Sequence, residues 1–215
     1  MSTIRVLLVD DHALLRDTLA SRLEAEADMS VVGVAETADE ALDRIQTCSP
    51  DIILMDIDMP GRICFDVART IVARLPDVRL IFLSAYFHDH YIEEALRVKA
   101  LGYLTKRESV DRIVDAIRDV MNDRVCFSEE IQGRIEFAEG ETRLSGRSRA
   151  STLTGRQVEV LRYIARGLSK KEIASLMHVS VKTVEKHTDA LMSKLNIHDR
   201  VELARYAIRE GLAEA

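Results

Sequence analysis

The stretch from Pro50 to Gly61, PDIILMDIDMPG, constrains this chain more than any other. Ile52, Ile53, Leu54 and Met55 form an unbroken apolar run that stops at Asp56, and Pro60-Gly61 then forces a turn. A strand with one wet face alternates apolar and polar residues. A run without alternation is buried on both faces, as in a parallel sheet covered by helices on each side. Open sheets of that kind bind ligands at the carboxyl ends of their strands, so Asp56 is expected at the mouth of a crevice.

The rest of the first 122 residues agrees with such a sheet. Strands are predicted at Ile4–Val9, Met29–Ala35, Asp51–Asp56, Val78–Ser84 and Leu101–Leu104. Helices are predicted between them at Ala13–Glu26, from Thr37 to about Gln46, at Phe65–Leu75 and at Tyr91–Lys99, with Ser109–Asn122 closing the set. Thr37 and Glu40 read as a capping box. Val110, Ile113, Val114, Ile117 and Met121 share one face of the last helix. Five strand–helix units with right-handed crossovers give an α/β fold, a doubly wound five-stranded parallel sheet.

Residues 123–150 break this rhythm and read as a linker. Ser128–Phe137 could form one short helix capped by Ser128, and EGETRLSGRSRAST mixes Gly, Ser and charge without apolar periodicity. From 151 to 215 the pattern is all-α, with four helices. Thr154/Gln157 and Ser169/Glu172 form capping boxes opening helices at Gly155–Ala165 and Lys170–Met177. His178-Val179-Ser180 is a tight turn before Val181–Leu195, and Arg200–Glu210 ends at Gly211. Two helices joined by three or four residues, the second longer, match helix-turn-helix spacing.

Composition supports the division. Residues 151–215 hold 11 Lys+Arg and 8 Asp+Glu, a net of +3, whereas the preceding residues carry −9. A mildly basic rear half behind an acidic front points to a nucleic-acid surface in the rear. Three widely spaced cysteines, Cys48, Cys64 and Cys126, form no disulfide framework and suit a reducing compartment. The six histidines make no ligand cluster with them. No apolar run approaches the ~20 residues of a membrane span, and acid follows the N-terminus too soon for a signal peptide. A cytoplasmic protein with no membrane partner is expected.

Two candidate sites emerge. Asp10 and Asp11 end the first strand as Asp56 ends the third, and three converging acids repel one another unless a hard cation such as Mg²⁺ lies among them. Ser84 and Lys106 follow the fourth and fifth strands. A phosphoryl group on Asp56 would carry nearly two negative charges and would need a metal, a hydroxyl donor and a fixed cation. Asp10 and Asp11 would hold the metal, Ser84 would donate, and Lys106 would supply the point charge. The competing reading makes the acids helix caps and Lys106 a solvated charge; four complementary groups at strand ends weigh against it. Asp56-Ile57-Asp58 also matches the D-x-D nucleophile of haloacid-dehalogenase-type phosphatases, but Met59-Pro60 follows where those enzymes have x-Thr or x-Val.

The second site is the Val181–Leu195 helix. Val184, Thr188, Leu191 and Leu195 form its core stripe, leaving Lys182, Thr183, Glu185, Lys186 and Asp189 to face outward. Lys can reach guanine O6 or N7 in the major groove and Glu can accept from cytosine N4. Lys170, Lys171 and Lys194 would contact phosphates. The alternative is a solvated face held by charge pairs.

IRVLLVDDHALLR, DIILMDIDMPG, IFLSA and ALGYLTK resemble the receiver domain of bacterial two-component response regulators. LTGRQVEVLRYIARGLSKKEIASLMHVSVKTVEKHTDALMSKLNIHDRVELARYAIREGL resembles the LuxR-type helix-turn-helix. Together they resemble the NarL/FixJ family. The resemblance implies a flavodoxin-like receiver over 1–122 and a LuxR-type domain over 151–215. It implies that Asp56 takes a phosphoryl group from a sensor histidine kinase with Mg²⁺ held by Asp10, Asp11 and Asp56, while Ser84 and Lys106 bind the phosphoryl oxygens. Tyr103 is similar in position to the family's aromatic switch. A homodimer on activation, double-stranded promoter DNA and RNA polymerase are the implied partners, and transcription the implied output. An alternative is a DNA-binding regulator whose receiver is a phosphorylation-independent dimerisation module. Three positions depart from the pattern: Cys64 in place of a frequent Gly, Arg107 in place of Pro, and Gly155 in place of Pro.

Overall fold

The computed structural model describes residues 3–59, 63–85, 89–133, 135–138, 141–144, 152–210 and 212–213. The chain divides into two compact units. The first contains β1 (Ile4–Val9), α1 (Ala13–Glu24), β2 (Met29–Ala35), α2 (Ala38–Cys48), β3 (Ile52–Asp56), α3 (Cys64–Arg74), β4 (Arg79–Ser84), the end of α4 (Asp89–Arg97) from Glu94 onward, β5 (Gly102–Thr105), α5 (Val110–Met121), β6 (Cys126–Phe127) and α6 (Glu129–Gln132). A separate two-stranded sheet of β7 (Ile135–Ala138) and β8 (Glu141–Leu144) follows. Then come α7 (Gly155–Ala165), α8 (Lys170–Leu176), α9 (Val181–Leu195) and α10 (Arg200–Arg209). The expected Pro60-Gly61 turn and residues 145–150 of the expected linker lie outside the described residues.

The main sheet has the order β2-β1-β3-β4-β5-β6, and every neighbouring pair is parallel. All five residues of β3 are buried, which is why its sequence shows no alternation. On one face Val6, Leu8, Ile52, Leu54, Ile81, Leu83 and Leu104 form a core with Leu19 and Leu23 of α1 and Ile113, Val114 and Ile117 of α5. The alternate residues point to the opposite face. There Phe82 meets Phe65 of α3 at 4.9 Å between ring centroids. Each face removes a continuous apolar layer from water, the dominant favourable contribution to folding.

The sheet has six strands where five were expected. Cys126 and Phe127 pair with Gly102 and Tyr103, and the Cys126 amide donates to Leu101 O at 2.7 Å. Two residues are too few to register as a periodic pattern. The close approach depends on Gly102: an added Cβ would lie 2.8 Å from Ile81 Cγ1 and 3.2 Å from Cys126 O.

The expected Ser128–Phe137 helix is also corrected. Only Glu129–Gln132 is helical, and after Gly133 the chain turns extended at Ile135. Nor does the Ser128 side chain cap that helix. Its Oγ accepts from the Thr105 amide at 2.9 Å and donates to Glu108 Oε1 at 2.7 Å, while its own amide donates to Tyr103 O at 3.0 Å. A buried Thr105 N–H outweighs an exposed helix end in its claim on that oxygen, because only the former lacks water as a substitute. Ser128→Ala should therefore destabilise the first unit by about 1–3 kcal/mol. Urea unfolding with an unshifted midpoint would show that this bond contributes nothing.

In the second unit α7 packs against α9 and α10, and α8 against α9. Two of the three expected capping boxes form, Thr154 with Gln157 and Ser169 with Glu172; at α2 the Thr37 side chain accepts from the Glu40 amide, but the Glu40 side chain accepts from the Glu36 amide instead of that of Thr37, so that box is only half made. Gly155 at the start of α7 is therefore accommodated by an intact cap. Ser180 caps α9, and Asn196 in the left-handed conformation (φ 54°) ends it.

Candidate functional site

The parallel sheet directs Asp10 after β1, Asp56 at the end of β3 and Lys106 after β5 to one edge. Asp56 is fully buried and Asp10 is 3% exposed. Asp10, Asp11, His12 and Asp56 each present a ligand atom, all within 4.8 Å of one another. Lys106 Nζ stands 2.9 Å from Asp10 Oδ2 and 2.8 Å from Asp56 Oδ2, bridging the two acids. The ammonium is the charged partner that both oxygens share.

Local hydrogen bonds hold this arrangement. Asp56 Oδ1 accepts from the Asp58 amide at 3.1 Å, and Asp10 Oδ1 accepts from the His12 amide at 2.8 Å. Arg16, buried one turn into α1, donates to Asp10 O at 2.7 Å and to Glu36 Oε1 at 2.9 Å. Lys106 is located by its amide, which donates to Ser84 O at 2.7 Å.

Burial pushes the Asp56 carboxyl up to about 6; Lys106 opposes that rise, while nearby Asp10 adds to it. Burial pulls Lys106 down, but Asp56 and Asp10 together outweigh it and hold the ammonium above its ordinary value. The pocket thus gathers more negative charge than one lysine neutralises. Three acids in reach of one another, sharing a single lysine and with two of them buried, are a donor set suited to a hard divalent cation. Mg²⁺ fits the residues present.

Of the groups expected at this edge, the structure brings Asp10, Asp11, Asp56 and Lys106 together. Ser84 is buried at the end of β4, in register with Thr105. Tyr103 is fully buried in β5. Two contributors were not anticipated, His12 and Arg16. The His12 signal was its position directly after the acid pair; Arg16, as a charged residue on an otherwise apolar helix stripe, was the kind of exception that marks a buried partner.

On α9, Val184, Thr188, Leu191 and Leu195 are buried as the spacing predicts, and Lys182 and Lys186 are exposed. Other expected contacts are engaged within the unit. Lys170 pairs with Glu185 at 3.0 Å, tying α8 to α9. The Thr183 hydroxyl lies 2.8 Å from Ser180 Oγ at the cap. Lys194 donates to Thr152 O at 2.6 Å and Gln157 Oε1 at 2.9 Å, which ties this exposed side chain to the α7 cap. Lys171 is exposed on α8.

Comparisons with known proteins agree with both halves. Residues 6–118 match the response regulator receiver domain family, and 151–207 match the bacterial regulatory proteins of the luxR family. The chain is 32% identical to the response regulator VraR of Staphylococcus saprophyticus, covering 98% of this chain and 99% of that one. It is 35% identical to the transcriptional regulatory protein LiaR of Bacillus subtilis, covering 97% and 99%. Its fold matches RcsB of Salmonella typhimurium with a TM-score of 0.74 at 20% identity, over 98% of this chain and 99% of that one. A second RcsB structure, with promoter DNA and the phosphomimetic BeF₃⁻, matches with a TM-score of 0.68 over 95% of this chain and 98% of that one. The paired family matches, in this order and over nearly the whole length, place the chain among the two-component response regulators of the NarL/FixJ family, a receiver domain joined to a LuxR-type DNA-binding domain.

Proposed function

We propose that Asp56 is the phosphoacceptor and that its phosphorylation by a sensor histidine kinase controls promoter binding by the α7–α10 unit. The observation that carries this reading is the buried Asp56 held between a lysine and two further acids. An Asp56 carboxylate oxygen attacks the phosphorus of a phosphohistidine, and the imidazole nitrogen leaves. Asp10, Asp11 and Asp56 would hold Mg²⁺, which supplies charge neutralisation at the transferred oxygens. Lys106 offers a second positive charge, and Ser84, at the end of β4, offers a hydroxyl.

The new charge can change the output only by favouring one arrangement of Ser84, Tyr103 and β4 over another. Such coupling is typically about 1–3 kcal/mol. Homodimerisation is the proposed consequence, with RNA polymerase the further partner at the promoter. We assign the receiver to 1–122, the linker to 123–150, whose β6 (Cys126–Phe127) adds a sixth strand to the receiver sheet, and the DNA-binding domain to 151–215. Among the described residues no helix is long and apolar enough to cross a membrane, which is compatible with the cytoplasmic location proposed here. A regulator built this way stores one phosphoryl group instead of turning over a substrate.

The test is to supply the full chain with Mg²⁺ and a small-molecule phosphodonor, then follow intact mass and footprinting on DNA selected from a random pool. One added phosphoryl group with altered occupancy is the expected result. A chain that takes up phosphate but binds DNA identically would leave the receiver as a dimerisation module only.

A further inference from the structure

We infer that Ser128, on the segment that follows α5, is a positioning residue for Lys106: its hydroxyl clasps the turn that carries the lysine from both sides. This rests on the reading of Lys106 as the cation that meets a phosphoryl group on Asp56. Lys106 stands in the turn Thr105-Lys106-Arg107-Glu108, which the Glu108 amide closes by donating to Thr105 O at 3.0 Å. Ser128 Oγ accepts from the Thr105 amide at 2.9 Å, directly before the lysine. It donates to Glu108 Oε1 at 2.7 Å, on the far side of the same turn. A hydroxyl donates and accepts through one atom, so a single serine spans the turn.

The clasp is a buried extension of the sheet. Ser128 is 1% exposed and Thr105 2%. The amides of Cys126 and Ser128 donate to Leu101 O and Tyr103 O at 2.7 and 3.0 Å, in the pattern of a parallel ladder. The next acceptor for the Thr105 amide in such a ladder would be Ser128 O. That carbonyl instead accepts from the amides of Ile131 and Gln132 at 2.9 and 3.1 Å, where the chain enters α6. The hydroxyl takes its place at the point where β5 gives way to the lysine turn. Ser128 is itself anchored, since Ile131 is fully buried and Gln132 Nε2 donates to Phe127 O at 2.7 Å.

The lysine needs this hold. Its amide is fixed on the β4 side through Ser84 O, and Ser128 steadies the turn from the β6 side. Its Nζ must reach Asp10 Oδ2 and Asp56 Oδ2 together, on a flexible four-carbon stem. A turn that drifts by about 1 Å loses that reach, and such a misplacement can slow a reaction by up to ~10²-fold. The match to the receiver family ends at residue 118, so this support comes from beyond the matched residues.

The test measures initial phosphoryl uptake by intact mass, with Mg²⁺ and a small-molecule phosphodonor. It compares the full chain, Ser128→Ala, Lys106→Ala and the double variant, each with its urea midpoint. Ser128→Ala should slow uptake about tenfold. Added to Lys106→Ala it should slow uptake by less than about twofold, because no ammonium is left to place, while still lowering the urea midpoint. Glu108→Ala, at a half-buried site, should repeat the Lys106-dependent loss in milder form, and Glu108→Gln, which keeps an acceptor for the hydroxyl, should restore it. Should the double variant fail to fold, the same cycle is run with Glu108→Ala in place of Ser128→Ala. If Ser128→Ala slows uptake by the same factor with and without Lys106, the serine only supports the fold and the assignment is overturned. If Lys106→Ala takes up phosphate as fast as the parent, or the parent takes up none, the phosphorylation-site reading falls and this falls with it. If Lys106→Ala is slow and Ser128→Ala matches the parent, the role of Ser128 alone is lost.

Discussion

Asp56→Asn should incorporate no phosphoryl group, and at neutral pH it should unfold at a higher temperature than the parent. The first outcome follows from removing the nucleophile. The second follows from linkage. The folded Asp56 carboxyl sits at about 6, above its ordinary 3.8, because burial disfavours the charged form. Below pH 3.8 the group is protonated in both states and carries no penalty. As pH rises through the ordinary value the unfolded chain ionises first, so stability is lost progressively until about pH 6 and is constant above it. A shift of about two units corresponds to roughly 3 kcal/mol. Asparagine removes this loss but also takes one partner from Lys106, so a net gain of about 1–2 kcal/mol is expected, a few degrees in Tm.

The pH dependence provides the check. Parent and variant should converge near pH 4 and separate toward pH 7, with the variant the more stable. Mg²⁺ should raise the Tm of the parent and leave the variant nearly unmoved, since a ligand stabilises only the state that binds it. A less stable Asp56→Asn at pH 7 would mean that the Lys106 pairing outweighs burial. Lys106→Ala carries the opposite sign: it leaves Asp10 and Asp56 facing each other without the bridging ammonium, and loss of stability is expected.

The second large effect is expected on the recognition helix. Lys182→Ala combined with Lys186→Ala should weaken binding to selected DNA by roughly a hundredfold at fixed salt, about 1–3 kcal/mol for each lysine that reads a base. It should also reduce the salt slope, by up to about one unit for each phosphate that a lysine no longer neutralises. Stability should change little, because both side chains are exposed on α9. Lys194→Ala is the contrasting control. Its ammonium is bonded to Thr152 O and Gln157, so it should lower stability before it alters the salt slope. Footprints identical for the double variant and the parent at matched salt would remove Lys182 and Lys186 from the interface.

Much of this was readable one residue type at a time. An uninterrupted Ile52–Met55 run reports burial on both faces, and the Asp at its end inherits a position from the topology of parallel sheets. Capping boxes were readable because donor and acceptor are three residues apart. β6 was not readable, because a two-residue strand gains its stability from the edge of β5 and has no local pattern. Ser128 defeats local reading for the same reason: its role as a cap competes with a buried amide that is 23 residues away in sequence.

From residue order alone follow the strand–helix alternation, the grouping of acids and lysine at one sheet edge, and the family, since each depends on short-range periodicity or on motifs. Tertiary structure alone settles which charges meet: Lys106 on Asp10 and Asp56, His12 turned to the acids, Lys194 drawn back to the α7 cap and Lys170 joined to Glu185. The physical reason is that electrostatic energy depends on distance and burial. Neither exists until helices and strands have packed.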